Sequence, residues 1–163
     1  MVGKTGLVGM PLAFGVKKSN LRIAMQFAGT GHRIKADDLQ RILPTTPHLQ
    51  NLMCRFTLLQ GMQASQTAAC NRLHNLEQRL ARWLLMTQDR VGSEFVITQE
   101  YLAELLGTGR PSVSLAASQT QKAGAIRYSR GLMKIVNRGS LEKMSCECYA
   151  TIRRYYRDLG LMH

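Results

Sequence analysis

The chain has 163 residues, 45% of them hydrophobic, which suits a globular protein of one or two compact units. It carries 22 Lys and Arg against 10 Asp and Glu, a formal net charge of +12, and this excess indicates a polyanionic partner. The basic residues are spread along the whole chain, which excludes a polybasic tail, and the charge alone is equally compatible with DNA, RNA or a membrane surface.

The amino-terminal 43 residues are glycine-rich and β-like. Residues 6–16 (GLVGMPLAFGV) are the most apolar run, but Pro11 interrupts it and it is shorter than the ~20 residues that cross a bilayer. We therefore expect neither a signal peptide nor a membrane partner, and a cytoplasmic location. Residues 21–27 (LRIAMQF) alternate as a strand would, and Asp37-Asp38-Leu39 begins a short helix.

A long helix is predicted over residues 48–71. Apolar residues recur along it at alternating steps of three and four, the spacing of a dimer seam: Leu49, Leu52, Phe56 and Leu59. The alternative is a helix that packs on its own domain, and both can hold because the helix is apolar on further faces. A second helix is predicted over residues 76–87.

Residues 98–118 (TQEYLAELLGTGRPSVSLAAS) are typical of two short helices joined by a tight turn. Leu102 and Leu106 lie on one face of the first helix, Gly107 ends it, and Pro111 suits the first turn of the second. This pattern predicts a helix-turn-helix, with a plain αα-hairpin as the alternative.

The flanking segments favour a winged helix. Residues 94–98 are β-prone, and residues 125–136 predict two strands around a turn at Ser129-Arg130-Gly131. Such a wing would bring Arg127, Arg130 and Lys134 near a sugar-phosphate backbone. A single terminal helix is predicted over residues 140–159.

The cysteines predict no metal site. Cys54, Cys70, Cys146 and Cys148 include no CxxC pair, and in a helix the side chains of Cys146 and Cys148 would diverge by about 200°. We expect free thiols in a reducing compartment. The histidines show no ligand spacing and no residue has a recognisable catalytic setting, so we expect no cofactor and no enzyme.

Several segments together resemble the carboxy-terminal half of Crp/Fnr-type transcription regulators. They are CNRLHNLEQRLARWLLMTQDRV (70–91), ITQEYLAELLGTGRPSVS, QKAGAIRYSRG, and CECY with RRYY downstream, and the resemblance covers about residues 45–163. It implies a mainly α fold with small β: a remnant of a cyclic-nucleotide-binding-like β-roll (1–45), a dimerisation helix (46–72) and a winged helix-turn-helix that binds DNA (73–163).

The sequence departs from the family in two ways. Most of the β-roll would have to precede Met1, so we expect a truncated sensor, and the phosphate-binding elements have no counterpart, so we expect no cyclic-nucleotide binding. Large apolar residues would be expected at Ala117, Thr120 and Ala125, where small or polar groups stand. Leu115, where the family tends to be polar, is either a DNA contact or a compensating core residue.

The resemblance also assigns DNA contacts. Arg110 would read a guanine edge, Ser112 and Ser114 would contact phosphate or base, and Thr98 and Gln99 would meet the backbone. Ser129 and Arg130 would add phosphate contacts from the wing, and Pro111 and Leu115 complete the candidate surface. For each serine the alternative is a solvated helix position. For Arg110 it is a surface ion pair with Glu100 or Glu104.

Three functions are compatible with the sequence. The first is a sequence-specific regulator that binds palindromic promoter DNA as a homodimer, with RNA polymerase as a further candidate partner. The second is an interaction protein that dimerises with a full-length relative and does not bind DNA. The third is a small-molecule sensor acting through residues 1–45, which offer no complete pocket.

Overall fold

Helices dominate the computed structural model, which describes residues 1–16, 18–19 and 21–161. They are α1 (Met10–Ala13), α2 (Ala36–Ile42), α3 (Pro47–Leu73), α4 (Leu76–Val91), α5 (Gln99–Leu106), α6 (Arg110–Lys122), α7 (Arg138–Met144) and α8 (Cys148–Asp158), with a 3₁₀ turn at Leu43–Thr45. Strands β1 (Glu94–Val96), β2 (Ile126–Ser129) and β3 (Leu132–Ile135) form an antiparallel sheet in the order β1-β3-β2. The predicted mainly α fold with small β is confirmed. Within the described ranges, no helix combines the length and apolar character needed to span a bilayer.

The chain divides into two compact units, Met1–Gln63 with Tyr155–His163, and Ala64–Arg154. The first unit is built on the amino-terminal part of α3. Its core comprises Met10, Ala13, Leu43, Met53, Phe56, Leu59 and Leu161. A side-chain contact also ties the carboxy-terminal segment to α3, since Arg55 Nη1 donates to the Leu159 carbonyl at 3.1 Å.

The strand predicted over residues 21–27 is wrong. In the described ranges of residues 1–45 the backbone forms no strand, so the β-roll remnant lacks the element predicted for it. Leu21, Ile23 and Met25, the apolar side of the expected alternation, are all exposed. A strand needs a neighbour for its backbone N–H and C=O groups, and the described part of this segment provides none.

The predicted long helix is present as α3, but most of its predicted seam faces inward. Phe56 and Leu59 are buried in the core of the first unit, and Leu49 packs against the same cluster. Leu52 alone among the four is exposed. These side chains therefore serve the helix's own domain, which was the alternative reading of the pattern. Dimerisation stays a prediction.

The second unit is arranged around α4. Asn75 caps this helix in a capping box, accepting from Gln78 N–H while the Gln78 side chain accepts from Asn75 N–H. Leu80, Leu84 and Leu85 are fully buried along it. Both α6 and α7 pack against α4, so the helix forms the support on which the candidate site rests.

The single terminal helix predicted over residues 140–159 is also wrong, because the chain breaks into α7 and α8. Ser145 ends α7 in an extended conformation, and its hydroxyl donates to the Glu142 carbonyl at 2.9 Å. Serine competes with helical hydrogen bonding in this way. Cys146 consequently lies in a turn, and Cys148 is the first residue of α8.

Candidate DNA-binding surface

The helix-turn-helix is formed by α5 and α6. Thr98 Oγ1 accepts from Tyr101 N–H at 3.2 Å and so caps α5. Gly107 follows the helix with φ 60° and ψ 47°, a left-handed conformation that glycine adopts without a Cβ penalty. The α5 terminus is held further by Arg79, whose guanidinium donates to the Leu106 carbonyl. Gly109 then precedes α6, which begins at Arg110 with Pro111 in its first turn. The predicted pair of helices and its glycine turn are confirmed.

The inward face of α6 consists of small side chains. Val113, Ala116, Ala117 and Thr120 are buried, and the Thr120 hydroxyl donates to the Ala116 carbonyl at 2.8 Å. Ala125, which follows the helix, is fully buried as well. The small residues at positions 117, 120 and 125, where larger ones were expected, are thus part of the packed face. Small contact residues let neighbouring helices approach closely, so α6 is seated on α4 and α5 without large anchors.

The outward face of α6 carries most of the predicted contact residues. Pro111, Ser112, Ser114 and Leu115 are all exposed. Leu115 is 60% exposed, which excludes the reading of this side chain as a core residue. Two further exposed residues of the same face, Ser118 and Lys122, were not predicted from the sequence. The helical spacing of i, i+4 and i+8 from Ser114 is the signal that identifies them.

Arg110 lies at the edge of this face and makes an ion pair. Its Nε is 3.0 Å from Glu100 Oε1, with both side chains more than half exposed. This is one of the two ion pairs considered as the alternative role of Arg110. Exposed pairs of this kind contribute at most about 1 kcal/mol, so the contact orients the guanidinium without preventing its use elsewhere.

The predicted wing is present as the hairpin of β2 and β3. Arg130 (φ 50°) and Gly131 (φ 81°) form its two-residue turn, and both have the positive φ that type I′ hairpins require. Tyr128 fixes the hairpin, since its hydroxyl donates to the Ile97 carbonyl at 2.8 Å. Burial, and then the charge of Glu100, raise the pKa of Tyr128, which keeps this phenol protonated as a donor.

The remaining predicted contact residues differ in how exposed they are and in whether their side chains already bind another residue. Ser129, Arg130 and Arg127 are exposed on the wing. Lys134 pairs with Glu94 across β1 and β3, with Nζ 2.9 Å from Oε2. Thr98 is exposed but uses its hydroxyl as the α5 cap, and Gln99 is half-buried. The wing tip and the outward face of α6 are therefore the parts of the surface that are most available to contact DNA.

Comparison with known proteins gives a match to a domain family and matches to solved structures. Residues 78–144 match the Crp-like helix-turn-helix domain. Among solved structures, the chain is similar to TTHB099, described as a transcriptional regulator of the CRP family from Thermus thermophilus, with 21% identity and a TM-score of 0.51. No curated protein sequence matches the chain.

The structural match covers 57% of this chain and 51% of the other, so the chain spans about half the length of that relative. At this identity the likeness shows a shared fold. The sequence match is more specific, because it runs from α4 to the end of α7 and takes in the helix-turn-helix and the wing. Residues 78–144 therefore form a Crp-like helix-turn-helix DNA-binding domain.

Proposed function

We propose that the chain is a sequence-specific transcriptional regulator that acts as a dimer on palindromic promoter DNA. The observation that carries the proposal is the two-sided character of α6, which buries Val113, Ala116, Ala117 and Thr120 and leaves an outward face of small polar groups and Leu115. A helix held on one face and bare on the other can be laid in a major groove. The likeness to TTHB099, described as a transcriptional regulator, supports the proposal.

The first turn of α6 suits a phosphate. It contains no acidic residue, and no side chain caps it. Its backbone N–H groups and the positive end of the helix dipole would therefore favour an anion. Ser112, exposed in the same turn, would add a hydroxyl donor to this contact.

Base recognition would come from two other side chains of the helix. Arg110 would donate to guanine O6 and N7, the commonest specific contact in the major groove. Leu115, with its exposed methyl groups, would pack against a thymine methyl. Ser114, between them along the helix, would contact either a base or a phosphate.

We further propose that RNA polymerase is a partner of the regulator and that the protein acts in the cytoplasm.

The proposal is tested by selecting bound sequences from random duplexes with the purified full chain and footprinting the result. We expect one palindromic motif whose half-sites lie about one helical turn, ~34 Å, apart. Affinity should fall by about 10³ or more between 50 and 200 mM salt if six or more phosphates are contacted. Failure to enrich any motif, with equal affinity for all duplexes, would overturn the sequence-specific reading.

A dimer would place the second recognition helix on the second half-site. Because Phe56 and Leu59 are buried in the first unit, we propose that copies meet through the opposite face of α3, defined by Cys54, Leu58 and Gly61. These exposed residues are spaced by four and three, as in a helix seam. Gly61 has open space where a Cβ would stand, which would permit close approach of a second helix.

Leu58→Glu is expected to weaken the dimer. Leu58 is 55% exposed in the single chain, and its burial by a partner would contribute about 1.5–3 kcal/mol, or roughly 10- to 150-fold in the dimer dissociation constant. Sedimentation equilibrium measures that constant. Leu52→Glu is the matched control, since Leu52 belongs to the seam that the sequence predicted. If Leu52→Glu weakens the dimer more than Leu58→Glu does, the interface is the seam predicted from the sequence.

The wing tip offers a separate prediction, because Arg130 is the only described residue other than glycine with positive φ. This conformation costs a residue with a Cβ about 1 kcal/mol, and such strain is often kept where a side chain has a function. Arg130→Gly is expected to leave stability equal or higher in urea unfolding, with lower affinity for every duplex and a salt slope reduced by about 1. Unchanged DNA affinity would show that the wing tip does not contact DNA.

The alternative is an interaction protein that dimerises with a full-length relative and does not bind DNA. A recognition helix held poorly by its small inward residues would favour it, and the full burial of Thr120 and Ala125 counts against it. Formation of mixed dimers without any selected DNA motif would nonetheless decide in favour of that alternative.

A further inference from the structure

Four side chains with metal-ligating atoms converge in the second unit. They are Cys70, His74, Cys146 and Cys148, and one ligand atom from each lies within 4.8 Å of all the others. Cys70 Sγ is 3.5 Å from Cys146 Sγ, and Cys148 Sγ is 3.6 Å from His74 Nδ1. The three cysteines are buried and the histidine is half-buried, so the cluster is closed to solvent on most sides.

The local structure explains how residues so far apart in sequence meet. Cys70 lies in the last turn of α3, and His74 N–H still donates to the Cys70 carbonyl at 3.1 Å, so the two side chains share one face at a spacing of i, i+4. Cys146 lies in the turn between α7 and α8, and Cys148 begins α8. The divergence expected for a helical Cys-x-Cys therefore does not occur, which removes the sequence argument against a metal.

Two distances within the cluster match those around one tetrahedral ion, and the remaining ligand atoms lie within 4.8 Å of one another. Two thiolates bound to zinc at about 2.3 Å lie about 3.8 Å apart, and a thiolate and an imidazole nitrogen lie about 3.6 Å apart. The observed 3.5 and 3.6 Å are close to these values. A four-iron cluster binds each cysteine to a different iron and needs its sulfurs farther apart. Three cysteines and one histidine form a common ligand set of structural zinc sites.

Neighbouring polar groups are arranged as outer partners of such ligands. His74 Nε2, the ring nitrogen that does not face the sulfurs, is 3.2 Å from Glu147 Oε1. Metal-binding histidines almost always donate this second N–H to a carboxylate or carbonyl, which fixes the ring. Gln66 Nε2 donates to Cys148 Sγ at 3.1 Å, a hydrogen bond that stabilises a thiolate.

A buried arginine provides a further, independent observation. Arg82 is only 4% exposed, no carboxylate of the described residues pairs with it, and its Nε has no hydrogen-bond partner there. Arg82 Nη1 donates to Thr67 Oγ1 at 3.3 Å, and Thr67 lies one helical turn before Cys70 on α3, which places the charge near the cluster. Three thiolates and a divalent ion carry a net charge of −1, so a loaded site would give Arg82 the anionic partner that a buried cation needs.

We propose that Cys70, His74, Cys146 and Cys148 bind one zinc ion in a structural site. The four protein ligands complete a tetrahedron and leave no position for water or substrate, which distinguishes the site from a catalytic one. The ion joins the end of α3 to the turn between α7 and α8 within the second unit. Binding would release the thiol protons and stabilise the folded state.

The test begins with the full chain purified without added metal or chelator. Native mass spectrometry and elemental analysis should find one zinc per chain. Cys148→Ser and Cys146→Ser should each lose at least tenfold in zinc affinity, measured by competition with a chromophoric chelator. Cys54→Ser is the matched control, because Cys54 is an exposed cysteine outside the cluster, and it should keep one zinc. Loss of zinc from Cys54→Ser as well would overturn the assignment.

Two further measurements cover variants that fail to fold. Glu147→Gln keeps all four ligands and should lower zinc affinity by about 10- to 100-fold through the outer partner of His74. Cobalt substituted into the wild-type chain should give the intense visible bands of a tetrahedral ion and a thiolate charge-transfer band. Octahedral cobalt spectra, or metal-free protein with a Cys70–Cys146 disulfide after anaerobic purification, would overturn the proposal. None of these readouts depends on DNA binding, so the regulator and the metal site can fail separately.

Discussion

Leu102→Ala is expected to lower the free energy of unfolding of the second unit, which contains the helix-turn-helix, by about 2–5 kcal/mol. Leu102 lies on the inward face of α5 and is fully buried, so truncation removes apolar contacts and leaves a cavity. Because α6 packs on α5, the loss should also reduce the fraction of chains whose recognition helix is seated. Urea unfolding followed by circular dichroism measures the change, and DNA affinity should recover at low temperature if the helix is only less populated.

Leu115→Ala is the matched control, since it makes the same truncation at a position that is 60% exposed. We expect a stability change within about 0.5 kcal/mol, as for surface substitutions elsewhere. Its effect should appear instead in the selected DNA motif, as a weaker preference for thymine at one position of each half-site. A destabilisation equal to that of Leu102→Ala would show that Leu115 is packed and would contradict the outward orientation of this side chain on α6.

The helix-turn-helix could be predicted from sequence because its signals are local. A threonine cap, leucines at helical spacing, a left-handed glycine and a proline in the first turn all lie within the fifteen or so residues that they organise. The wing was predictable for the same reason, since the Arg130-Gly131 turn lies between two β-prone runs. Local signals in the chain are therefore sufficient to predict the fold class and the candidate surface.

Features that depend on distant residues were less predictable from the sequence. The alternation in residues 21–27 is genuine, but a strand also needs a pairing partner, and the described residues around it supply none. The spacing of Phe56 and Leu59 indicated an apolar helix face without showing what covers it, and the cover proved to be this chain's own core. The cysteine cluster joins residues 70 and 146, and its geometry depends on a break at Ser145 that helix propensity did not reveal.

Arg110→Ala is expected to weaken binding to the selected palindrome by about 1–3 kcal/mol, roughly 5- to 150-fold, and to relax the preference at one base pair of each half-site. The reason is that a bidentate contact to guanine O6 and N7 adds nothing on the other base pairs, which present different groups in the major groove. The ion pair with Glu100 is exposed, so its loss should change stability by less than about 1 kcal/mol. Binding to the selected duplex and to single-base variants, at one fixed salt concentration, measures both effects.

Two control variants separate the role of Arg110 from its charge. Arg130→Gly removes the same charge at the wing and should weaken all duplexes alike, because phosphate contacts carry no sequence information. Glu100→Gln breaks the ion pair of Arg110 while leaving the guanidinium in place, and it should keep the base preference. An equal, sequence-independent loss from Arg110→Ala and Arg130→Gly would assign Arg110 to the backbone. Base recognition would then fall to the rest of the outward face, where Ser114 and Leu115 lie exposed beside Ser118.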